Sequence, residues 1–395
     1  MAQAAGRILT SHVGSLVRPD ELLAFIAKQQ DGQPYDAKAY EECLRRSVAD
    51  VVKKQVEAGV DIVSDGEYGK SISWSRYILD RLSGFEERHD KTPGFRAAVA
   101  GKDRRDFAEF YEEYEANYGF VGMGKTFKTG SWFVTGPIKY TGQALIQRDI
   151  EDIRRGVAGS GAVDAFMPLV APASVVPQRT DEFYKSEEEA LFAIADAVHE
   201  EYKAVIDAGL IAQIDDAFLA SVYDVMVPPK TLAEYRKWAE LRIEALNHAL
   251  KGLPQDRTRY HICWGSWNGP HTNDVAFKDI ADLVLRVNVG GYSLEMANPR
   301  HEHEWRVWES VKLPEGKYLL PGLVSHATNI VEHPELVAER IVRLAKLVGR
   351  DRVVASTDCG FAQGPFARRV HPQIMWAKLR ALAEGARIAT RQLWN

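Results

Sequence analysis

A histidine and a cysteine stand two residues apart, His261 and Cys263, in "RYHICWGSWNGPH" (259–271), at the end of an apolar run. The chain has only three cysteines in 395 residues. A second, Cys359, closes another apolar run, "DRVVASTDCGF" (351–361), and a glutamate, Glu295, closes a third, "GGYSLEMAN" (290–298). An imidazole nitrogen, a carboxylate oxygen and two thiolate sulfurs are donors that tetrahedral zinc accepts. Side chains alternate along an extended strand, so His261 and Cys263 point to the same side. Glu295 would arrive from the next strand and Cys359 from the last, at adjacent strand ends. Buried cysteines also serve as small core hydrophobes, and His-x-Cys alone specifies little. Cys43, inside the helix pattern "YEECLRRSV", reads as packing.

Eight apolar runs are candidate strands: 7–15, 60–67, 164–174, 210–217, 259–265, 290–298, 317–326 and 351–361. They are rich in Ile, Val and Leu on both faces, as parallel strands covered on both sides require. Helical patterns at 36–60, 186–210 and 333–351 each run out at a glycine. Eight strand–helix units in one chain predict an α/β fold, a (β/α)8 barrel. The stretch at about 70–163 reads as an excursion between the second and third strands. It carries aromatic-rich "FAEFYEEYEANYGF" and a possible strand pair in "KTGSWFVTGPIKYTG". With no low-complexity linker, residues 1–395 are expected to form one domain.

Active sites of such barrels form at the carboxyl ends of the strands. Ionisable and hydroxyl groups fall there repeatedly: His12, Ser15, Asp65, Glu67, Asp215, Asp216, His261, Cys263, Glu295, Ser325, His326, Asp358 and Cys359. Burying so many is costly unless they bind something. Each alone could be a satisfied structural group; their shared position is the stronger signal. The formal net charge is -5, with both signs mixed along the chain, which gives no electrostatic case for nucleic acid or an anionic membrane. No apolar run nears the ~20 residues of a membrane span, and the start lacks a signal-peptide core. A cytoplasmic protein with small-molecule partners is expected, and a homo-oligomer is left open. Three scattered cysteines in a reducing compartment favour metal or catalytic use over disulfides.

Six motifs, in order, resemble the catalytic half of cobalamin-independent methionine synthase and its short single-barrel relatives. They are "TSHVGSLVRP", "SDGEYGK", "AQIDDAFL", "HICWGSW", "YSLEMANPR" and "STDCGF". The resemblance spans nearly the whole chain. It implies zinc held by His261, Cys263, Glu295 and Cys359, and a thiol such as homocysteine whose amino-acid part meets Ser15, Glu67 and Asp215. It also implies a proton-shuttling histidine after the seventh strand, where "PGLVSHATN" offers His326, a residue that could equally belong to a surface loop. A free thiol ionises near pH 8.5 and attacks poorly until it loses its proton, which Zn²⁺ removes. Glu67 and Asp215 suit an α-ammonium group; the plainer reading is a charged pair tying strands together. The expected activity is therefore zinc-dependent S-methyl transfer to homocysteine, through a zinc thiolate. The alternative within the family is epoxyalkane:coenzyme M transferase chemistry, where Arg18, Lys70 and Arg76 could serve a sulfonate. An alternative of another class is a non-catalytic zinc- and thiol-binding barrel.

Three departures bear on the alkyl donor. The chain is roughly one barrel, without the family's N-terminal half. Asp164–Lys230 contains no tryptophan to stack on a pterin. Asp216 and Ala217 stand where the family has glutamate and proline. These departures predict that methyltetrahydrofolate is not the donor. The aromatic excursion, with Trp74, Tyr77, Phe107, Phe110, Tyr111 and Tyr114, is expected to close over a smaller, more apolar one. His301 and His303, in "ANPRHEHEWRVWE", are expected on a solvated, charged loop over the barrel mouth.

Overall fold

The computed structural model describes residues 6–88, 101–119 and 130–395. Eleven strands occur among them: β1 Leu9–Thr10, β2 Ile62–Ser64, β3 Phe85–Arg88, β4 Ser131–Val134, β5 Asp164–Val170, β6 Thr180–Asp181, β7 Ile211–Asp215, β8 Thr258–Ile262, β9 Gly291–Leu294, β10 Tyr318–Val324 and β11 Val354–Thr357. Eight of them form one parallel sheet in the order β1, β11, β10, β9, β8, β7, β5, β2. The two end strands meet where the Asp61 amide donates to the Thr10 carbonyl at 3.2 Å and the Ser11 hydroxyl to the Ile62 carbonyl at 3.2 Å. The sheet thus nearly closes as a (β/α)8 barrel, with one barrel strand at each of the eight apolar runs; β8 starts one residue before its run.

Helices cover the barrel because their starts and stops are written into the chain. Asp36 accepts from the Lys38 and Ala39 amides to start Ala37–Glu57, and Ser186 accepts from Glu189 to start Glu187–Asp207. His333 caps Pro334–Val348, whose proline at the first turn has no amide to leave unpaired. Gly59, Gly209 and Gly349, just past these helices, take positive φ of 87°, 82° and 102°, which only glycine adopts cheaply. The crossover from β9 to β10 carries a 3-10 stretch, Glu302–Glu309, instead of an α-helix. No described helix is long and apolar enough to cross a membrane.

The barrel interior is layered. At its amino-terminal end Leu9, Ile62, Phe166, Ile211, Tyr318, Leu320 and Val354 pack together. Above them Arg259 lies 3.6 Å over the Phe166 ring and donates to Gln213 and Ser11 at 2.7 and 3.0 Å. The top layer is Val13, Cys263 and Cys359. A polar layer thus separates the apolar floor from the mouth.

The excursion differs from the sequence reading in its strand pairing. The partner of β4 is β3, from the start of the excursion, in an antiparallel pair; β6 extends that small sheet in parallel. Pro137 interrupts the expected second strand, since it offers no amide to a ladder, and Tyr140 makes only one bridge, to Leu82. Residues 89–100 and 120–129 of the excursion lie outside the described residues. The aromatic segment forms the helix Ala108–Tyr118.

Candidate active site

His261 is the penultimate residue of β8 and Cys263 directly follows the strand, while Cys359 follows β11 by two residues. Their ligand atoms all lie within 4.8 Å of one another, and all three residues are buried. They come from the fifth and eighth barrel strands, so adjacent strand ends do not describe them. Inward side chains of a small barrel reach across its mouth, which joins positions that are not neighbours in the sheet. Ser293 engages His261 Nδ1 at 3.1 Å, which leaves Nε2 buried and without a hydrogen-bond partner. The neighbouring Cys263 thiol, with help from His261 and His326, holds the Cys359 thiol well below its ordinary value. The same closeness to Cys359 pushes Cys263 up.

Glu295, one residue past β9, lies outside this three-residue group. Asn298 donates to its Oε2 at 2.8 Å, and Oε1 is buried without a partner. Burial, with Asp358 close by, raises its pKa well above the ordinary value, and its charge acts on Cys263. Asp358 is itself held by the Met296 and Ala297 amides, both at 2.8 Å, which fixes the segment that carries Glu295. The two sulfurs and the orphaned imidazole nitrogen form a group that could hold a metal ion, and these donor types suit zinc.

Ser15, Glu67 and Asp215 line the same cavity as the three ligands. Glu67 is aimed there by a strained turn. Gly66 and Glu67 both take left-handed φ, 69° and 62°, a conformation costly outside glycine. The turn is fixed by Ser64 Oγ accepting from the Gly66 amide at 3.0 Å and Asp65 Oδ1 from the Glu67 amide at 2.9 Å. Burial raises the pKa of Glu67, opposed by Lys70, whose Nζ is 3.6 Å from Oε2. Asp215 ends β7, accepts from Gln213 at 2.8 Å, and is raised to about 7, chiefly by burial, with His261 opposing and Glu67 adding. Ser15 Oγ accepts from the Ala362 amide at 3.3 Å. A side chain at Gly360 would put a Cβ 1.9 Å from that oxygen, so the residue after Cys359 must be glycine. Asp216 turns away to Ser174 and Tyr260, at 2.7 and 2.9 Å, and anchors the strand end.

His326 is buried behind this cavity, with no hydrogen bond on either ring nitrogen. Burial lowers it to about 4, with Cys359 opposing, so it is neutral near pH 7. The loop after Glu295 is solvated only in part, at Pro299, Arg300 and His303. His301 is buried, stacked 4.1 Å from Trp264 and clamped by Asp274 and Glu304, each at 3.0 Å. Asp274 comes from another loop, so the local string of charges gave no sign of this burial; His303 is exposed. Arg18 does not line the cavity; it donates to the Glu67 and Lys70 carbonyls.

Sequence reasoning missed several wall residues. Trp74, which was expected over the cavity, lines it and stacks on Phe218 at 6.0 Å; the missed residues are Phe218, Trp267, Arg104, Gln363 and Arg369. Trp267, Gln363 and Arg369 lie on loops that follow Cys263 and Cys359. Their only sequence signal is that they closely follow a ligand cysteine. Tyr111 lines the cavity, whereas Tyr77 sits beneath it on Glu201 at 2.9 Å, and Phe107 and Phe110 are exposed.

A family profile described as the catalytic domain of cobalamin-independent synthase matches residues 174–376. The match includes Asp215, His261, Cys263, Glu295, His326 and Cys359. The 2-hydroxypropyl-CoM lyase of Xanthobacter autotrophicus is 23% identical, over 98% of this chain and 96% of that protein. A methionine synthase of Thermococcus kodakarensis is 22% identical, over 97% of this chain and 94% of that one. Among solved structures, a B12-independent methionine synthase from Shewanella sp. W3-18-1, in complex with selenomethionine, superposes with a TM-score of 0.71 at 21% identity. That superposition covers 98% of this chain and 99% of the other.

Proposed function

The chain belongs to the cobalamin-independent synthase catalytic-domain family, and from that membership we propose that it is a zinc-dependent S-alkyltransferase that methylates homocysteine. The observation that carries the reading is one cavity lined both by His261, Cys263 and Cys359 and by the carboxylates Glu67 and Asp215. His261, Cys263 and Cys359, with Glu295 as the fourth donor, would hold zinc, which when bound supplies the Lewis acidity that ionises a thiol near neutral pH.

The chain's own residues do the rest. Glu67 raises the pKa of Asp215, so an α-ammonium group between them relieves that repulsion and is held by charge-assisted hydrogen bonds. Lys70 offsets part of the Glu67 charge and keeps that carboxylate in place. Ser15 adds a hydroxyl beside them. Trp74, Phe218 and Trp267 form apolar walls that keep water from the sulfur, which preserves its nucleophilicity. His326, neutral and near Cys359, would be the acceptor of the thiol proton.

A second reading, epoxide opening by coenzyme M, is favoured by Arg76 in the lining and by likeness to the Xanthobacter lyase. A panel of thiols decides between them. The zinc-loaded protein is incubated with homocysteine or 2-mercaptoethanesulfonate and a simple alkylating agent, and products are read by mass spectrometry. Alkylation of homocysteine at least tenfold faster supports the first reading. Preference for the sulfonate thiol supports the second, and alkylation of neither thiol above the uncatalysed rate removes both.

A further inference from the structure

Arg369 is not used by the thiol half of the site. It lines the cavity together with Cys263 and Cys359 and close to His326. Its Nε donates to Gln363 Oε1 at 2.7 Å, and Nη2 is 3.5 Å from Ser266 Oγ. Gln363 and Ser266 also line the cavity, so the guanidinium is steered by residues of the same wall. The cations acting on Glu67 are Lys70 and Arg18, and those acting on Asp215 are His261 and Lys70. The carboxylates thus have cations of their own, and Arg369 stands in the cavity wall beside the two cysteines.

A cation there matters for the second substrate. In alkyl transfer the sulfur's electron pair forms the new S–C bond while the bond to the leaving group breaks and its pair departs on that group. A leaving oxygen ends as an oxyanion, and a fixed guanidinium stabilises charge that develops during the reaction. A sulfonium donor instead brings positive charge toward Arg369, and like charges in a poorly solvated cavity repel strongly. We propose that Arg369 is a specificity-determining residue that selects neutral electrophiles whose carbon–oxygen bond breaks, such as alkyl sulfonate esters or epoxides, over sulfonium donors. An epoxide would yield an alkoxide that takes its proton from water. The proposal rests on the S-alkyltransferase reading.

The test uses the zinc-loaded wild type, Arg369→Gln and Arg369→Lys. Methyl 4-nitrobenzenesulfonate and S-methylmethionine serve as methyl donors to homocysteine. Binding of homocysteine and of the product anion 4-nitrobenzenesulfonate is measured by calorimetry. Loss of a charge-assisted contact predicts that Arg369→Gln lowers kcat/KM for the sulfonate ester by about tenfold or more and weakens the product anion similarly. The sulfonium reaction should hold or rise, homocysteine affinity should stay unchanged, and Arg369→Lys should recover part of the loss. Equal losses with both donors, or weaker homocysteine binding with an unchanged donor ratio, would overturn the assignment. If no thiol is alkylated at all, the S-alkyltransferase reading fails, and the anion titration still decides Arg369: equal affinity in wild type and Arg369→Gln refutes it.

Discussion

Asp215→Asn should stabilise the metal-free protein at alkaline pH while it damages substrate binding. Burial carries the Asp215 carboxyl from 3.8 to about 7 in the folded state. Between these values the folded protein holds a proton that the unfolded chain has lost. Unfolding then releases a proton, and stability falls as pH rises through that window. For this one group, the loss between pH 5 and pH 8 amounts to about 2.5 kcal/mol. An asparagine does not ionise, so its variant lacks that slope. Urea unfolding of both proteins, freed of metal with a chelator, gives the stability difference at each pH. The difference, variant minus wild type, should grow by about 2.5 kcal/mol from pH 5 to pH 8. Comparing two pH values cancels any constant effect of the amide on packing. A difference that stays flat to within about 0.5 kcal/mol would show that Asp215 is solvated enough to ionise freely. The reason for assigning it an ammonium partner would then be gone.

Other outcomes follow from the same geometry. Cys263→Ser and Cys359→Ser should each lose bound zinc on dialysis, as measured by mass spectrometry of the metal. Cys43→Ser should retain it, since Cys43 is buried in the helix Ala37–Glu57 with its sulfur 4.0 Å from Ser47 Oγ. Glu67→Gln should raise KM for homocysteine about ten- to hundredfold and leave KM for 2-mercaptoethanesulfonate unchanged, because only the former carries an ammonium. Triglutamyl methyltetrahydrofolate should be a poor methyl donor in a steady-state methionine assay. Rates matching those with a simple methyl ester would show that the Trp74–Phe218 wall accepts a pterin.

What could be read from the chain divides by physical range. The barrel strands were legible because a parallel strand covered on both faces is largely apolar along its length, as β10 is. The glycine stops at Gly59, Gly209 and Gly349 are local chemistry and were equally plain. Strand pairing in the excursion was not, since β3 and β4 are separated by more than forty residues and nothing in either names its partner. The candidate ligands stood out because cysteine is rare here and polar groups are costly at strand ends. Their arrangement across the mouth, with Cys359 three strands from His261 and Glu295 outside the tight group, depends on barrel curvature. The buried state of His301 required Asp274 from another loop. Arg369 carries no periodic signal, and only the folded loop brings it to the cysteines.

The central claim is that a substrate thiol is bound at a zinc ion held by His261, Cys263, Cys359 and Glu295. X-ray absorption at the zinc edge tests it most directly, recorded on the loaded protein before and after homocysteine is added. The account predicts one zinc per chain with two sulfur neighbours and two lighter ones, and a third sulfur once homocysteine is present. A sulfur count that homocysteine leaves unchanged, or a metal without two cysteine sulfurs, would contradict it.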